Sequence, residues 1–360
     1  MKLKNQTVFV TGGAGFIGSA LVRELLREGC RVVVYDNFVS GDMANLEEVR
    51  TQVEIIKGDV CDPNFTARLA AFKPNALFHL AAEPYIPGAF DRPRHFFEVN
   101  AVGTLNVMLA CVETGIKRVL YYSSSEVYGT AKRIPMDEEH PTCPHSTYAA
   151  SKLAADRLCY TLHHEQGLPV IIFRQFNVYG PRETHPYVIP ELITQLSRGN
   201  TVQLGNIEAR RDLTYVDDAV HGAVRLMKCD DAVGQVINLG SGSDWSVAEL
   251  AHALGKFFGR KRIDITIDRA RLRPLDVDRL CCDSTKIRQM IGWGPQTSLF
   301  AGLKKTIEWH ERNGKRWIWE TKMGPEEQIW REGKKKGVVT PAGQSDHPAS
   351  TRTRQSATLG

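Results

Sequence analysis

Tyr148 and Lys152 stand four residues apart in a stretch patterned as a helix, 146–166, which puts a phenol and an ammonium on one helical face. An ammonium beside a phenol lowers its pKa, and a cationic hydride acceptor nearby adds to the effect. Such a phenol can take a hydroxyl proton while a hydride leaves the same carbon. A Tyr-x-x-x-Lys pair arises by chance in a chain of this composition with odds of about one in two. Position has to decide. Ser123-Ser124-Ser125-Glu126-Val127-Tyr128-Gly129 comes after an apolar run and supplies a row of hydroxyls with a carboxylate. Ser124 can hydrogen-bond the hydroxyl that Tyr148 deprotonates, and Glu126 can act as a second base.

A second group of residues suits a dinucleotide. Thr11-Gly12-Gly13-Ala14-Gly15-Phe16-Ile17-Gly18 comes after the first apolar run and opens the first helical pattern. Glycines there let the backbone approach a pyrophosphate, and a helix N-terminus offers it unpaired N–H groups. An ordinary tight turn is the rival reading. Asp36, eighteen positions after Gly18 at the end of the second run, favours the dinucleotide. Its carboxylate can accept from both adenosine ribose hydroxyls and repels a 2′-phosphate, which favours NAD over NADP. The rival for Asp36 is a surface turn residue. Asn37 adjoins it; Asp59 and Val60 end the third run, within reach of an adenine; Ala81 and Ala82 end the fourth, small enough for a cofactor to lie alongside, with Leu80 next to them on the cofactor side.

These residues need a scaffold that gathers the ends of successive strands. Apolar runs at 7–11, 31–35, 53–57, 76–80, 118–123 and 170–174 alternate with helical patterns at 17–28, 94–114 and 146–166. The rhythm predicts repeated βαβ units: an α/β, Rossmann-type doubly wound parallel sheet. On helix 94–114, Phe97, Ala101, Leu105, Met108 and Leu109 share one stripe that must bury against the sheet or another subunit. Beyond residue 180 the rhythm loosens, with a helix near 190–197, a strand and helix within 235–258, and a helix near 299–313. The expected division is a dinucleotide-binding domain at 1–176, with some later segments crossing back, and a smaller mixed α/β substrate lobe at 177–325. A basic, disordered tail is expected at 331–360.

Composition bounds the classes. Hydrophobic residues are 42% and charged residues 24% of 360, an ordinary globular balance. Of the net charge of +5, the last thirty residues hold +4, so the body lacks the basic excess of a nucleic-acid groove. No apolar run approaches the ~20 residues of a membrane span. Eight scattered cysteines without C-x-x-C spacing read as reduced thiols in a cytoplasmic protein, and no metal site is expected.

With these motifs in order, the chain resembles the extended short-chain dehydrogenase/reductase family, in its nucleotide-sugar epimerase/dehydratase branch. The resemblance runs over residues 5–310: the TGGAGFIG loop, Asp36, GDV at 58–60, HLAA at 79–82, Asn100, SSSEVYG at 123–129, YAASK at 148–152, FNVYGPR at 176–182 and RRDLTYVDD at 210–218. It implies an NAD cofactor and a nucleotide-diphosphate sugar oxidised transiently at C4. It also implies catalytic Tyr148, Lys152 and Ser124, with Ser123 and Asn100 on the cofactor side. Asn100 would help hold the geometry, or simply cap a local helical bulge. Asn177 and Arg211 match positions on the substrate diphosphate, where arginine's planar fork fits, and Arg182 is expected among the substrate-binding residues. Arg273 and Asp276 resemble a nucleotide-contacting pair, a surface salt bridge being the rival for Arg273. Val202 and Leu204 lie in a stretch expected to pass the base. A homodimer through a four-helix bundle is implied as well.

Three departures bear on the sugar. Ala89 stands where the family commonly has serine, Glu83-Pro84-Tyr85 brings an acidic insert beside the sugar site, and Gln175 replaces a usual proline. The reaction itself is ordered by analogy. A 4,6-dehydratase needs a base at C5–H, which Glu126 can be, and an acid for the leaving C6 hydroxyl. In dTDP-glucose dehydratases an aspartate precedes that glutamate; here it is Ser125. A 4-epimerase ranks second and a UDP-glucuronate-type decarboxylase third, since decarboxylases usually carry charged residues where Ala149-Ala150-Ser151 stand. A non-catalytic scaffold is disfavoured by retention of Ser124, Tyr148 and Lys152. The expected outcome of a titration calorimetry comparison is much tighter binding of NAD than of NADP; comparable affinities would contradict the reading of Asp36.

Overall fold

The computed structural model describes residues 1–321, so the tail expected at 331–360 lies outside the described residues. Strands β1 (Thr7–Thr11), β2 (Arg31–Asp36), β3 (Val53–Lys57), β4 (Ala76–His79), β5 (Arg118–Tyr122) and β6 (Val170–Gln175) form from the six apolar runs. They are rich in Val, Ile, Phe and Tyr, and β1, β2, β4, β5 and β6 are buried almost throughout, as strands covered on both faces must be. The remaining strands are β7 (Asn177–Tyr179), β8 (Thr201–Leu204), β9 (Arg210–Tyr215), β10 (Val236–Leu239), β11 (Asp244–Ser246), β12 (Asp264–Ile267) and β13 (Arg279–Leu280). The main sheet is parallel, in the order β3-β2-β1-β4-β5-β6-β10. The order reverses between β1 and β4, which opens a crevice at the carboxyl ends of those strands.

Helices cover both faces: α1 (Phe16–Arg27), α2 (Phe65–Phe72), α3 (Ile86–Asp91), α4 (Pro93–Phe97), α5 (Gly103–Glu113), α6 (Thr147–Gln166), α7 (Val188–Arg198), α8 (Val216–Lys228), α9 (Val247–Phe257), α10 (Thr285–Ile291) and α11 (Leu299–Arg312). One face buries Phe78, Leu120 and Phe173 under α1 and α8; the other buries Phe9, Leu77, Tyr121 and Ile172 under α2, α5 and α6. In the smaller lobe β9 pairs with β7, β11 and β13, and β8 pairs with β12. α7 begins two residues before the expected helix because Pro190 falls in its first turn, where no intrahelical N–H is needed. The Trp317 indole donates to Thr194 Oγ1 at 2.9 Å and ties the last described segment to α7.

The expected single helix at 94–114 is divided. Between α4 and α5, residues Glu98–Val102 form a π-helical turn. The wider turn rotates α5 relative to α4, so the predicted stripe separates: Ala101 and Met108 are buried, while Phe97 and Leu109 join Val102 on the outside, each more than 40% exposed. The stretch Pro93–Glu113 is also the one described segment long and apolar enough to pass for a membrane span by length and composition. Half of it is buried in the fold, with α4 and α5 packed on α6 and α5 on α2.

Asp156 pins α6 to the sheet. Its carboxylate, fully buried, accepts from Arg174 Nε at 2.9 Å and Nη2 at 3.1 Å on β6, from Ser123 Oγ at 2.7 Å beyond β5, and from Arg157. Burial opposes its ionisation, but the Arg174 bonds outweigh that and hold the carboxyl below the usual range. Asp156→Ala strands the buried Arg174 charge and is expected to cost ~3–5 kcal/mol in urea unfolding at neutral pH. A carboxyl with a depressed folded pKa stabilises above its unfolded value near ~4 and loses that stabilisation as pH falls through the folded value. The gap between wild type and variant should therefore narrow below about pH 4.

Candidate active site

A cleft of about 470 Å³ opens over the carboxyl ends of the strands and reaches into the smaller lobe. At its first end lies the glycine loop. Gly12 adopts φ +72°, and a Cβ there would meet Ala81 N at 2.7 Å; a Cβ on Gly18 would lie 2.0 Å from Gly12 O. α6 and α9 are capped by Ser146 and Ser246, whereas α1 has Gly15 as its N-cap and no side-chain cap. Its first N–H groups are left for an anion in the cleft, and the loop is a cradle that side chains would fill. Gly12, Gly15, Phe16, Ile17, Gly18, Asp36, Asn37, Val60, Leu80, Ala81 and Ala82 all line this end. Asp36 Oδ2 accepts from Ala14 N at 2.9 Å and Oδ1 from Phe38 N at 2.8 Å, which fixes the carboxylate against the loop. A carboxylate oxygen can accept more than one bond, so a group fixed in this way can still take ribose hydroxyls.

Two residues expected on the cofactor side sit behind the wall. Asp59 accepts from Asn37 Nδ2 and Cys61 N and acts on the cleft only through Asn37. Asn100, in the π-helical turn, accepts from Glu83 N at 2.8 Å and donates to Glu83 O and Ser151 Oγ. It holds the loop carrying Glu83 to α6.

Beyond β5, Ser124 caps a short 3₁₀ turn, Ser125–Tyr128. Ser123, Ser124, Ser125, Glu126, Tyr148 and Lys152 line one wall together. Ser124 hydrogen-bonds the Tyr148 phenol. Burial pushes that phenol up to about 12, the Ser124 bond works against the rise, and negative Glu126 adds to it. Lys152 donates to the Tyr122 carbonyl, stands 4.6 Å from the Tyr121 ring centre, and is brought down to about 8 by burial. The sequence expectation is that Lys152 and a nicotinamide cation together lower this phenol; in the chain by itself burial dominates and raises it. The desolvation cost of a phenolate exceeds the return from an ammonium engaged with a backbone carbonyl. Glu126 is 7% exposed, and its carboxylate has no hydrogen-bond partner among the described residues. Its charge is felt by Tyr148 on one side and Arg211 on the other.

At the far end Arg211 donates to Val277 O at 2.7 Å, and Asp276 stands 3.5 Å from both Arg211 and Arg273. Asn177 and Leu204 line this end too, as do Glu83 and Tyr85 from the acidic insert. Two expected substrate residues do not. Arg182 takes φ +71° and turns away to pair with Glu48 at 2.8 Å. Val202 points into the core; the two-residue period of β8 sends it and Leu204 the same way, and only Leu204, at the strand's end, reaches the cleft. Sequence reasoning missed Glu183, His185 and Tyr187, which line the cleft just after the FNVYGPR segment. Tyr85 stacks on His185 at 5.3 Å and 17°. The run of ionisable and aromatic types there was the available signal.

The family model for GDP-mannose 4,6 dehydratase matches residues 9–306. The chain belongs to this family. Among relatives, a dTDP-glucose 4,6-dehydratase of Streptomyces niveus is 33% identical over 89% of this chain and 96% of its own length. A UDP-glucose 4-epimerase of Mycolicibacterium smegmatis is 35% identical over 83% and 96%. A solved dTDP-glucose 4,6-dehydratase of Streptomyces venezuelae, with NAD and TYD bound, superposes with a TM-score of 0.80 at 32% identity, covering 87% of this chain and 99% of that one. The fold class and family read from the sequence are those found. In this dehydratase-family chain Gly18→Ala drives a methyl into the Gly12 carbonyl, which forces the loop open. Dinucleotide affinity measured by calorimetry should fall tenfold or more, with the secondary structure retained.

Proposed function

We propose that the protein is an NAD-dependent nucleotide-sugar 4,6-dehydratase, and one observation carries the choice of reaction. A carboxylate of a buried residue, Glu126, with no hydrogen-bond partner among the described residues, shares a wall with the Ser124–Tyr148–Lys152 group. Gly12, Gly15, Gly18 and the open N-terminus of α1 would hold the pyrophosphate, and Asp36 the ribose. NAD⁺ when bound supplies the hydride acceptor and later returns the hydride. Tyr148 takes the proton of the sugar's C4 hydroxyl, which Ser124 orients. Lys152, buried one turn along the same helix, favours the phenolate electrostatically once drawn toward it. The resulting ketone acidifies C5–H, and Glu126 removes that proton. Arg211 and Arg273 grip the diphosphate, and Asn177 supports it.

A 4-epimerase is the second reading, favoured by Ser125, a hydroxyl where dehydration needs an acid; epimerisation at C4 needs none. Two further parts belong to the proposal. Exposed Phe97, Val102 and Leu109, with Tyr160 on α6, offer an apolar face for a homodimeric four-helix bundle. The reading also places the enzyme in the cytoplasm with nucleotide sugars.

The test is a mass-resolved assay with UDP-N-acetylglucosamine, dTDP-glucose, GDP-mannose and UDP-glucose. Loss of water is expected from one of them; an unchanged mass with an altered sugar would establish the epimerase instead. Tyr148→Phe should abolish absorbance from reduced cofactor with every substrate. Glu126→Gln should leave that absorbance and depress C5 hydrogen exchange with heavy water by ~10²–10⁴-fold. Wild type that turns over substrate with no C5 exchange rejects the dehydratase.

A further inference from the structure

The dehydratase reading leaves a proton to be supplied. When the C5–H bond breaks, its electron pair becomes the C5=C6 bond, the C6–O bond breaks, and the oxygen must leave as water rather than hydroxide. Ser125 cannot serve, because an alcohol is far too weak an acid to give up a proton at neutral pH. The source has to be a protonated group, more acidic than an alcohol, that reaches the same cleft.

Most carboxyl groups lining the cleft are otherwise engaged. Glu83 stands 3.5 Å from His95 and 4.0 Å from Arg92. Asp276 lies between Arg211 and Arg273, Glu191 faces Arg271 at 3.3 Å, and Asp36 is bound to the glycine loop. Glu126 is assigned the C5 proton. Glu183 differs from all of these. It is 1% exposed, yet it lines the cleft, and no cation among the described residues pairs with it. One oxygen, Oε1, accepts from Gly180 N at 3.3 Å; Oε2 has no partner among the described residues.

The local backbone explains how it arrives there. Left-handed φ at Arg182 sends that side chain outward to Glu48, so the next residue turns inward. Tyr187 feels the charge of both Glu183 and Tyr148, and all three line the same cleft. We propose that Glu183 is the catalytic acid that protonates the departing C6 oxygen, an assignment that rests on the dehydratase reading. The proton on Oε2 leaves with that oxygen as water, the C5 proton passes to Glu126, and the product is the 4-keto-5,6-ene. Charge and atoms balance within the step. Burial pushes the Glu183 carboxyl well above the usual range, although the Gly180 N–H opposes this, which favours the protonated form that an acid needs.

The experiment uses the full-length protein with its cofactor, the nucleotide sugar among the four that loses water, and its 6-deoxy-6-fluoro analogue. Fluoride leaves without needing a proton. For Glu183→Gln, reduced-cofactor absorbance and C5 deuterium uptake should persist, while water loss falls ~10²–10⁴-fold. Fluoride release from the analogue should stay within a few-fold of wild type. Unchanged water loss, an equal fall in fluoride release, or loss of C5 exchange along with elimination would each overturn the assignment. If wild type eliminates neither water nor fluoride, the dehydratase reading fails and this proposal with it; wild-type elimination untouched by Glu183→Gln removes Glu183 alone. Should that variant not fold, the wild-type pH profile decides. Water loss should decline on the alkaline side as Glu183 ionises, and fluoride release should not; identical alkaline limbs overturn the proposal.

Discussion

The Asp156 carboxylate is the point on which the catalytic geometry turns. It lies one and two helical turns from Lys152 and Tyr148 on α6, and it binds Arg174 of β6 and Ser123 beyond β5 in the same buried place. A helix resting on a sheet by apolar contact alone can roll or slide at little cost. An ion pair with forked geometry cannot, because either motion would leave a buried charge unpaired. The rotation of α6 is therefore fixed by residues outside the cleft, and the phenol, the ammonium and the serine row inherit their alignment from it.

The cleft wall itself is an environment that resists charge. Burial dominates at Tyr148, at Lys152 and at Glu183, raising the two acids and lowering the base toward their neutral forms. Such a site makes each proton expensive to move unless another moves with it. The proposed removal of the C4 hydroxyl proton and the proposed proton delivery at the C6 oxygen fit that condition, since each is coupled to a bond change in the substrate. At half-buried Arg211 desolvation likewise works against the charge and lowers the pKa, and Glu126 offsets part of that. Arg211 and Glu126 thus share one electrostatic balance.

Much of this was readable in the sequence. The apolar runs at 7–11 and 53–57 become strands with those bounds, and the glycine loop, Asp36 and the Tyr148 group meet in one cleft because they end successive parallel strands. What escaped depends on distances the chain order does not carry. Arg182 reads like a phosphate ligand until its left-handed backbone turns it toward Glu48. Beyond the bulge that Asn100 allowed, nothing in the types of residues 98–102 announces a π-helical turn, so a 3.6-residue period assigned Phe97 and Met108 to one side. Glu183 looks like any acidic loop residue, and only its burial distinguishes it.

That π-helical turn has a consequence for how the chain can change. It holds one residue more than a regular turn would, and it serves two surfaces at once. Inward, Asn100 grips the backbone of Glu83 and the Ser151 hydroxyl; outward, Phe97, Val102 and Leu109 fall into one line. Removing a single residue between Glu98 and Val102 would restore ideal helix and turn α5 by about 100° against α4. The apolar line would break and the grip on Glu83 would be lost together. Length at this point is therefore held under two separate demands, and an indel tolerated by either surface alone would still be rejected by the other.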